Sequence, residues 1–173
     1  MDWTNWTPLE RATLCFIVKD GRILLIHKRR GLGAGKVNGP GGKLEPGETP
    51  LQAAVRETQE EIGVTPLHLE ERGIIRFHFT DGYSLLCTVF LARDLVGNPI
   101  ETAEATPFWA PVPEVPYDAM WEDDQYWLPQ VLDGSAPYLH AWFEFEGERM
   151  LSKEIRVMDA PGELVDFRTP KGL

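Results

Sequence analysis

Residues 30–63 constrain this chain more than any other stretch. Six glycines and Pro40 crowd Arg30–Gly42, a composition that specifies loop rather than helix or strand. The following segment reads as one helix, Thr49–Ile62. Thr49 suits the N-cap and Pro50 the first helical position, while Gly63 suits the residue just past the end. Leu51, Val55, Thr58 and Ile62 recur at i, i+4, i+7 and i+11, which predicts a stripe facing the core. Glu57, Glu60 and Glu61 stand at i, i+3 and i+4 and are expected to share a different face. Like charges so placed repel by roughly a few tenths of a kcal/mol per exposed pair. A hard divalent cation with oxygen ligands relieves that repulsion. A solvated acidic helix face has the same spacing. What favours a site is the glycine-rich loop ahead of the helix, which lets backbone approach a phosphate or metal closely and feeds a helix N-terminus that attracts anions.

The remaining chain predicts strands around this unit. Ala12–Val18 and Arg22–Lys28 flank Lys19-Asp20-Gly21 as a hairpin. Ile75–Phe79 alternates, Asp81-Gly82 turns, and Ser84–Ala92 runs apolar. Residues 99–116 hold five prolines and read as loop, with a short strand near Phe108-Trp109. A second helix is expected over Asp123–Leu132, then a hairpin of Tyr138–Phe145 and Met150–Val157. This order predicts a layered α/β domain with a mixed sheet. The 173 residues are divided into one domain, 1–158, and a polar C-terminal tail, 159–173.

Charge and composition exclude some functions. Lys and Arg number 17 against 27 Asp and Glu, a net charge of −10. Long nucleic acid, which is held by many Lys/Arg–phosphate contacts, is not an expected partner, nor is an anionic membrane surface. No apolar stretch approaches the roughly 20 residues that span a bilayer, and the N-terminus lacks the basic and apolar regions of a signal peptide. Cys15 and Cys87 lie in apolar runs and are expected as buried thiols in a reducing compartment. These features together predict a cytoplasmic protein.

The segment from Gly42 to Val64 resembles the Nudix box. Its pattern is Gly, five residues, Glu, seven residues, Arg-Glu, an apolar residue, any residue, Glu-Glu, any residue, Gly and an apolar residue. Gly42, Glu48, Arg56, Glu57, Glu60, Glu61 and Gly63 supply every fixed letter, and Thr58 departs from the apolar position. The resemblance implies a Nudix-type α/β/α sandwich and the hydrolysis of a nucleoside diphosphate linked to another group. It implies magnesium as cofactor, with manganese as a substitute. Glu57, Glu60, Glu61, the Gly41 carbonyl and the loop residue Glu104 are then the metal ligands. Glu57 or Glu61 is within reach of the water as base, with Arg56 and Glu48 orienting them.

The likeness extends past the box. Lys28–Lys43 and Met120–Pro129, the latter with Trp121-Glu122-Asp123-Asp124-Gln125-Tyr126-Trp127, are similar to the oxidised purine nucleoside triphosphate hydrolases, the MutT homologues that sanitise nucleotide pools. Substrates such as 8-oxo-dGTP and 2-hydroxy-dATP are implied. A purine can stack on Trp121, be walled by Phe77 and Phe79, and pair with Asn38. Asp123 and Asp124 are close enough to split their titration, so one donates while the other accepts. Thr13, Lys28, Pro40, Gly41, Gly42 and Lys43 complete the expected substrate contacts. Leu32 and Val37 stand where relatives carry aromatics. Two alternatives stay open: another Nudix substrate (an ordinary dNTP, a dinucleoside polyphosphate or ADP-ribose), or a non-catalytic nucleotide-binding regulator. The protein is expected to act on small nucleotides as a monomer or homodimer.

Overall fold

The computed structural model describes residues 1–162. Its elements are β1 (Glu10–Lys19), β2 (Arg22–Lys28), β3 (Val37–Asn38), β4 (Gly41–Lys43), α1 (Pro50–Ile62), β5 (Thr65–Leu67), β6 (Glu70–Phe79), β7 (Ser84–Ala92), β8 (Asp94–Val96), β9 (Ala105–Pro111), α2 (Asp124–Leu132), β10 (Tyr138–Glu146) and β11 (Arg149–Met158). The main sheet runs β11-β10-β6-β7-β1-β2-β3, with β4 added on β1 and β9 on β2. It is mixed: β1 lies parallel to β7 and β10 parallel to β6, while the other pairs are antiparallel. Strands β5 and β8 form a separate small sheet. Among the described residues no helix is long and apolar enough to cross a membrane.

Strand periodicity makes the layers. Successive side chains point to opposite faces, so the unbroken apolar runs of β1 and β2 fill both. Phe16, Ile23 and Leu25 pack on one side with Trp127, Leu128 and Val131 of α2. Cys15, Ile17, Leu24 and Ile26 pack on the other with Ala54 and Ile62 of α1. A sheet covered by helices on both faces is the expected sandwich. Both cysteines are free and buried.

Helix α1 begins at a complete capping box: Gln52 N–H donates to Thr49 Oγ1 at 3.2 Å, and Thr49 N–H to Gln52 Oε1 at 2.9 Å. It stops at Gly63, whose φ of 72° is left-handed. The buried face differs from the expected stripe. Ala53, Ala54, Thr58, Glu61 and Ile62 are buried, whereas Leu51 is 49% exposed and Val55 only half-buried. Small residues toward the sheet let the helix axis come close, and that rotation carries Glu61 inward. Thr58 fits this face because its hydroxyl donates to Ala54 O at 2.7 Å, satisfying the polar atom internally.

Two further expectations change. The glycine loop is interrupted by β3 and β4, and the proline-rich stretch contains the seven-residue strand β9. Strand β11 ends at Met158, and beyond it Gly162 O lies 2.8 Å from His140 Nε2. Residues 163–173, the remainder of the expected tail, lie outside the described residues.

Candidate active site

Strand β4 is where the site is assembled. Gly41 N–H donates to Glu61 Oε1 at 3.0 Å. A Cβ on Gly42 would lie 2.4 Å from the Glu57 carboxyl carbon, so glycine here leaves the Glu57 carboxylate room to rest against this strand. The loop before β9 brings Glu104, and carboxylate oxygens of Glu57, Glu61 and Glu104 all lie within 4.8 Å of one another. Glu60 is not among them. It is 52% exposed, and its Oε2 accepts from Arg56 Nη1 at 3.1 Å.

Arg56 organises the rim. Its Nε and Nη2 donate to both oxygens of Glu48, at 2.7 and 2.8 Å, and its Nη1 donates to Glu57 Oε1 at 2.8 Å. Nη2 also reaches Lys43 O at 3.1 Å. The Arg56 fork, helped by the Glu45 N–H, holds Glu48 at about 2. Glu57 and Glu61 go the other way. Burial pushes Glu61 up to about 8 even though Gly41 donates to it, and Glu57 adds to the rise. Burial likewise raises Glu57 against the pull of Arg56. Lys28, partly buried beside them, is lowered by burial and raised by Glu61 and Glu57. Carboxylates this crowded resist ionising together. The all-oxygen donor set fits a hard divalent cation, which reverses that resistance.

A cleft of about 530 Å³ adjoins the carboxylates. Every substrate residue expected from the sequence lines it except Pro40: Thr13, Lys28, Asn38, Gly41, Gly42, Lys43, Phe77, Phe79, Trp121, Asp123 and Asp124. Pro40 is buried and its carbonyl is taken by Cys15 N–H at 2.8 Å. Trp121 meets Phe79 and Phe145 edge to face, with ring centroids 6.0 and 5.4 Å away. Lys36 Nζ lies 5.4 Å from its ring centroid. Asn38 turns its Oδ1 to Gly39 N–H at 2.8 Å.

The aspartates stand at the start of α2 without capping it. Asp123 occupies the N-cap position but makes no capping hydrogen bond; its Oδ2 accepts from Trp127 Nε1 at 2.9 Å. Asp123 and Asp124 are 1% and 3% exposed. Asp123 Oδ1, Asp124 Oδ2 and Thr13 Oγ1 are buried with no partner among the described residues. Burial raises both aspartates, and the Asp123 charge pushes Asp124 further. Orphaned buried polar atoms are costly, and these belong to residues that line the cleft. Sequence reading missed Leu14, Leu85 and Cys87 on its walls, because a cleft-facing residue in a continuous apolar run looks like any core residue, and it missed Tyr83, which follows the Asp81-Gly82 turn.

A family model described as NUDIX domain matches residues 8–131. An oxidized purine nucleoside triphosphate hydrolase from Danio rerio is 40% identical over 140 residues, covering 80% of this chain and 88% of the relative. The protein of that name from Mus musculus is 36% identical over 149 residues, covering 86% and 95%. Among solved structures, a MutT protein from Bacillus halodurans aligns with a TM-score of 0.75 at 29% identity, covering 85% of this chain and 97% of that one.

Proposed function

The chain belongs to the Nudix hydrolase family, and from that premise we propose that it hydrolyses oxidised purine nucleoside triphosphates to the monophosphate and pyrophosphate. The observation that carries this reading is the cleft itself. Buried Asp123 and Asp124 with unpaired oxygens line the same cavity as Trp121, and Glu61 joins that cavity to the carboxylate group. A purine-sized flat group fits the aromatic wall, and a polyphosphate extends toward the acids.

Glu57, Glu61 and Glu104, with the Gly41 carbonyl, would hold magnesium, and Glu60 stands beside them to join the set. That ion, when bound, supplies neutralisation of phosphate charge and a lowered pKa for an attacking water. The protein's own groups do the rest. Arg56 fixes Glu57 and Glu48 so that the carboxylates keep one orientation. Glu57 or Glu61 takes the proton of the attacking water as the anhydride bond between the α and β phosphorus atoms breaks, leaving monophosphate and pyrophosphate. Lys28 and Lys43 meet phosphate charge from the cleft wall. Trp121 stacks on the base, worth about 1–3 kcal/mol. Asp124, held protonated, donates to the base edge while Asp123 accepts. We place the protein in the cytoplasm as a monomer or homodimer.

A panel of nucleotides with magnesium, scored by pyrophosphate release, tests the reading. Turnover should be highest with 8-oxo-dGTP or 2-hydroxy-dATP and fall about 100-fold or more in Glu57→Gln. Asp124→Asn should alter the preference for oxidised over ordinary purines. Equal turnover of unmodified dNTPs, or preference for ADP-ribose, would overturn it.

A further inference from the structure

The loop carrying Glu104 is held by its own set of contacts, and one hydroxyl is common to them. Thr102 Oγ1 donates to Glu61 O at 2.6 Å and accepts from Glu104 N–H at 3.2 Å. It therefore binds the main chain of two of the three clustered carboxylate residues. Glu61 lies one residue from the end of α1, where carbonyls lack an intrahelical donor, and Thr102 supplies one. Nearby, Ile100 N–H donates to Ile62 O at 2.9 Å and Arg29 N–H to Glu104 O at 2.9 Å. Arg29 Nη1 donates to Thr102 O at 3.2 Å, and its guanidinium pairs with Glu101. Glu104 itself is exposed, so burial does not fix its carboxylate. Its position comes from the backbone that Thr102 and Arg29 hold.

We infer that Thr102 is a positioning residue for metal binding: its hydroxyl locks the Glu104 loop to the end of α1, so that Glu104 is presented to a divalent cation together with Glu61. This rests on the proposed reading of Glu57, Glu61 and Glu104 as the metal-holding group. Valine at 102 keeps the β-branched shape and leaves Glu61 O and Glu104 N–H without that partner. Serine keeps the hydroxyl.

The test is a calorimetric titration of the full chain with Mn²⁺ alone, alongside the magnesium dependence of turnover. Thr102→Val should bind Mn²⁺ about tenfold more weakly and need correspondingly more magnesium for half-maximal rate, with kcat at saturating magnesium retained. Thr102→Ser should recover the wild-type affinity. Thr102→Val should add nothing in a Glu104→Gln background, and Thr102→Ala replaces it if the valine variant fails to fold. Wild-type Mn²⁺ affinity in Thr102→Val beside weakened binding in Glu104→Gln overturns the role of Thr102 alone. Wild-type affinity in Glu104→Gln overturns the placement of Glu104 at the metal, and the inference with it. A fall in kcat that excess magnesium does not repair, or no recovery in Thr102→Ser, also overturns it.

Discussion

Gly42 and the Glu57 carboxylate sit where only hydrogen leaves room for both. A methyl group there meets the carboxyl carbon at 2.4 Å, so Gly42→Ala should push Glu57 off its position by a good fraction of an ångström. Displacements of that size cost about 100-fold in catalysis. The expected result is turnover down by about that factor, with far-ultraviolet circular dichroism unchanged. Placement was legible where the motif dictates it: Glu57, Glu61, Arg56 and Glu48 come together beside β4, and Glu104, which lies outside the motif, reaches Glu57 and Glu61. The separate fate of Glu60, on Arg56 rather than within the Glu57–Glu61–Glu104 group, was not legible. Carboxylates at i, i+3 and i+4 are equivalent until packing rotates the helix. Thr102 was invisible for a different reason: its partners are backbone atoms, which leave no trace in side-chain pattern.

The signals of α1 were local, so its ends were read correctly. The Thr49–Gln52 capping box is exposed, and its two side chains bond each other's backbone N–H. Thr49→Ala should lower unfolding free energy by about 1 kcal/mol, measured by urea denaturation, while kcat stays at the wild-type value. Thr58 and Ile62 of the expected stripe are buried, but its first half was misread because Leu51 and Val55 outweigh Ala53 and Ala54 on any hydropathy scale, yet the helix packs there through its alanines. Strands β3, β4, β5 and β8 are two or three residues long. Segments that short contain no period to detect, and their pairing is decided by what lies beside them.

For the whole molecule, the order of elements announced a layered α/β domain with a mixed sheet, and the structure adds that β1, β2 and β7 fill both of its faces. The buried aspartates tie its stability to pH. Asp124 is raised above its ordinary value by burial and by Asp123. The native state therefore holds a proton that the unfolded chain releases above about pH 4. Their contribution is intact below that pH and is lost as pH climbs through the raised native values. Asp124→Asn should accordingly match the wild type near pH 4 and gain stability relative to it toward pH 8. Thermal melts across that range check the sign, and an identical pH slope in both proteins would refute it.

The parallel pairing of β1 with β7 has a consequence for how the chain is made. Glu10 lies opposite Leu85 and Ile17 opposite Ala92, so the first strand waits for its neighbour until most of the first hundred residues have been synthesised. The β1–β2 hairpin and α1 both precede β7 in the chain, and until β7 pairs, Cys15, Phe16 and Ile17 lie on an open edge. Such edges invite pairing with other nascent chains. Slowed translation between α1 and β7 should therefore lower the soluble yield of this protein, read as the soluble fraction on expression.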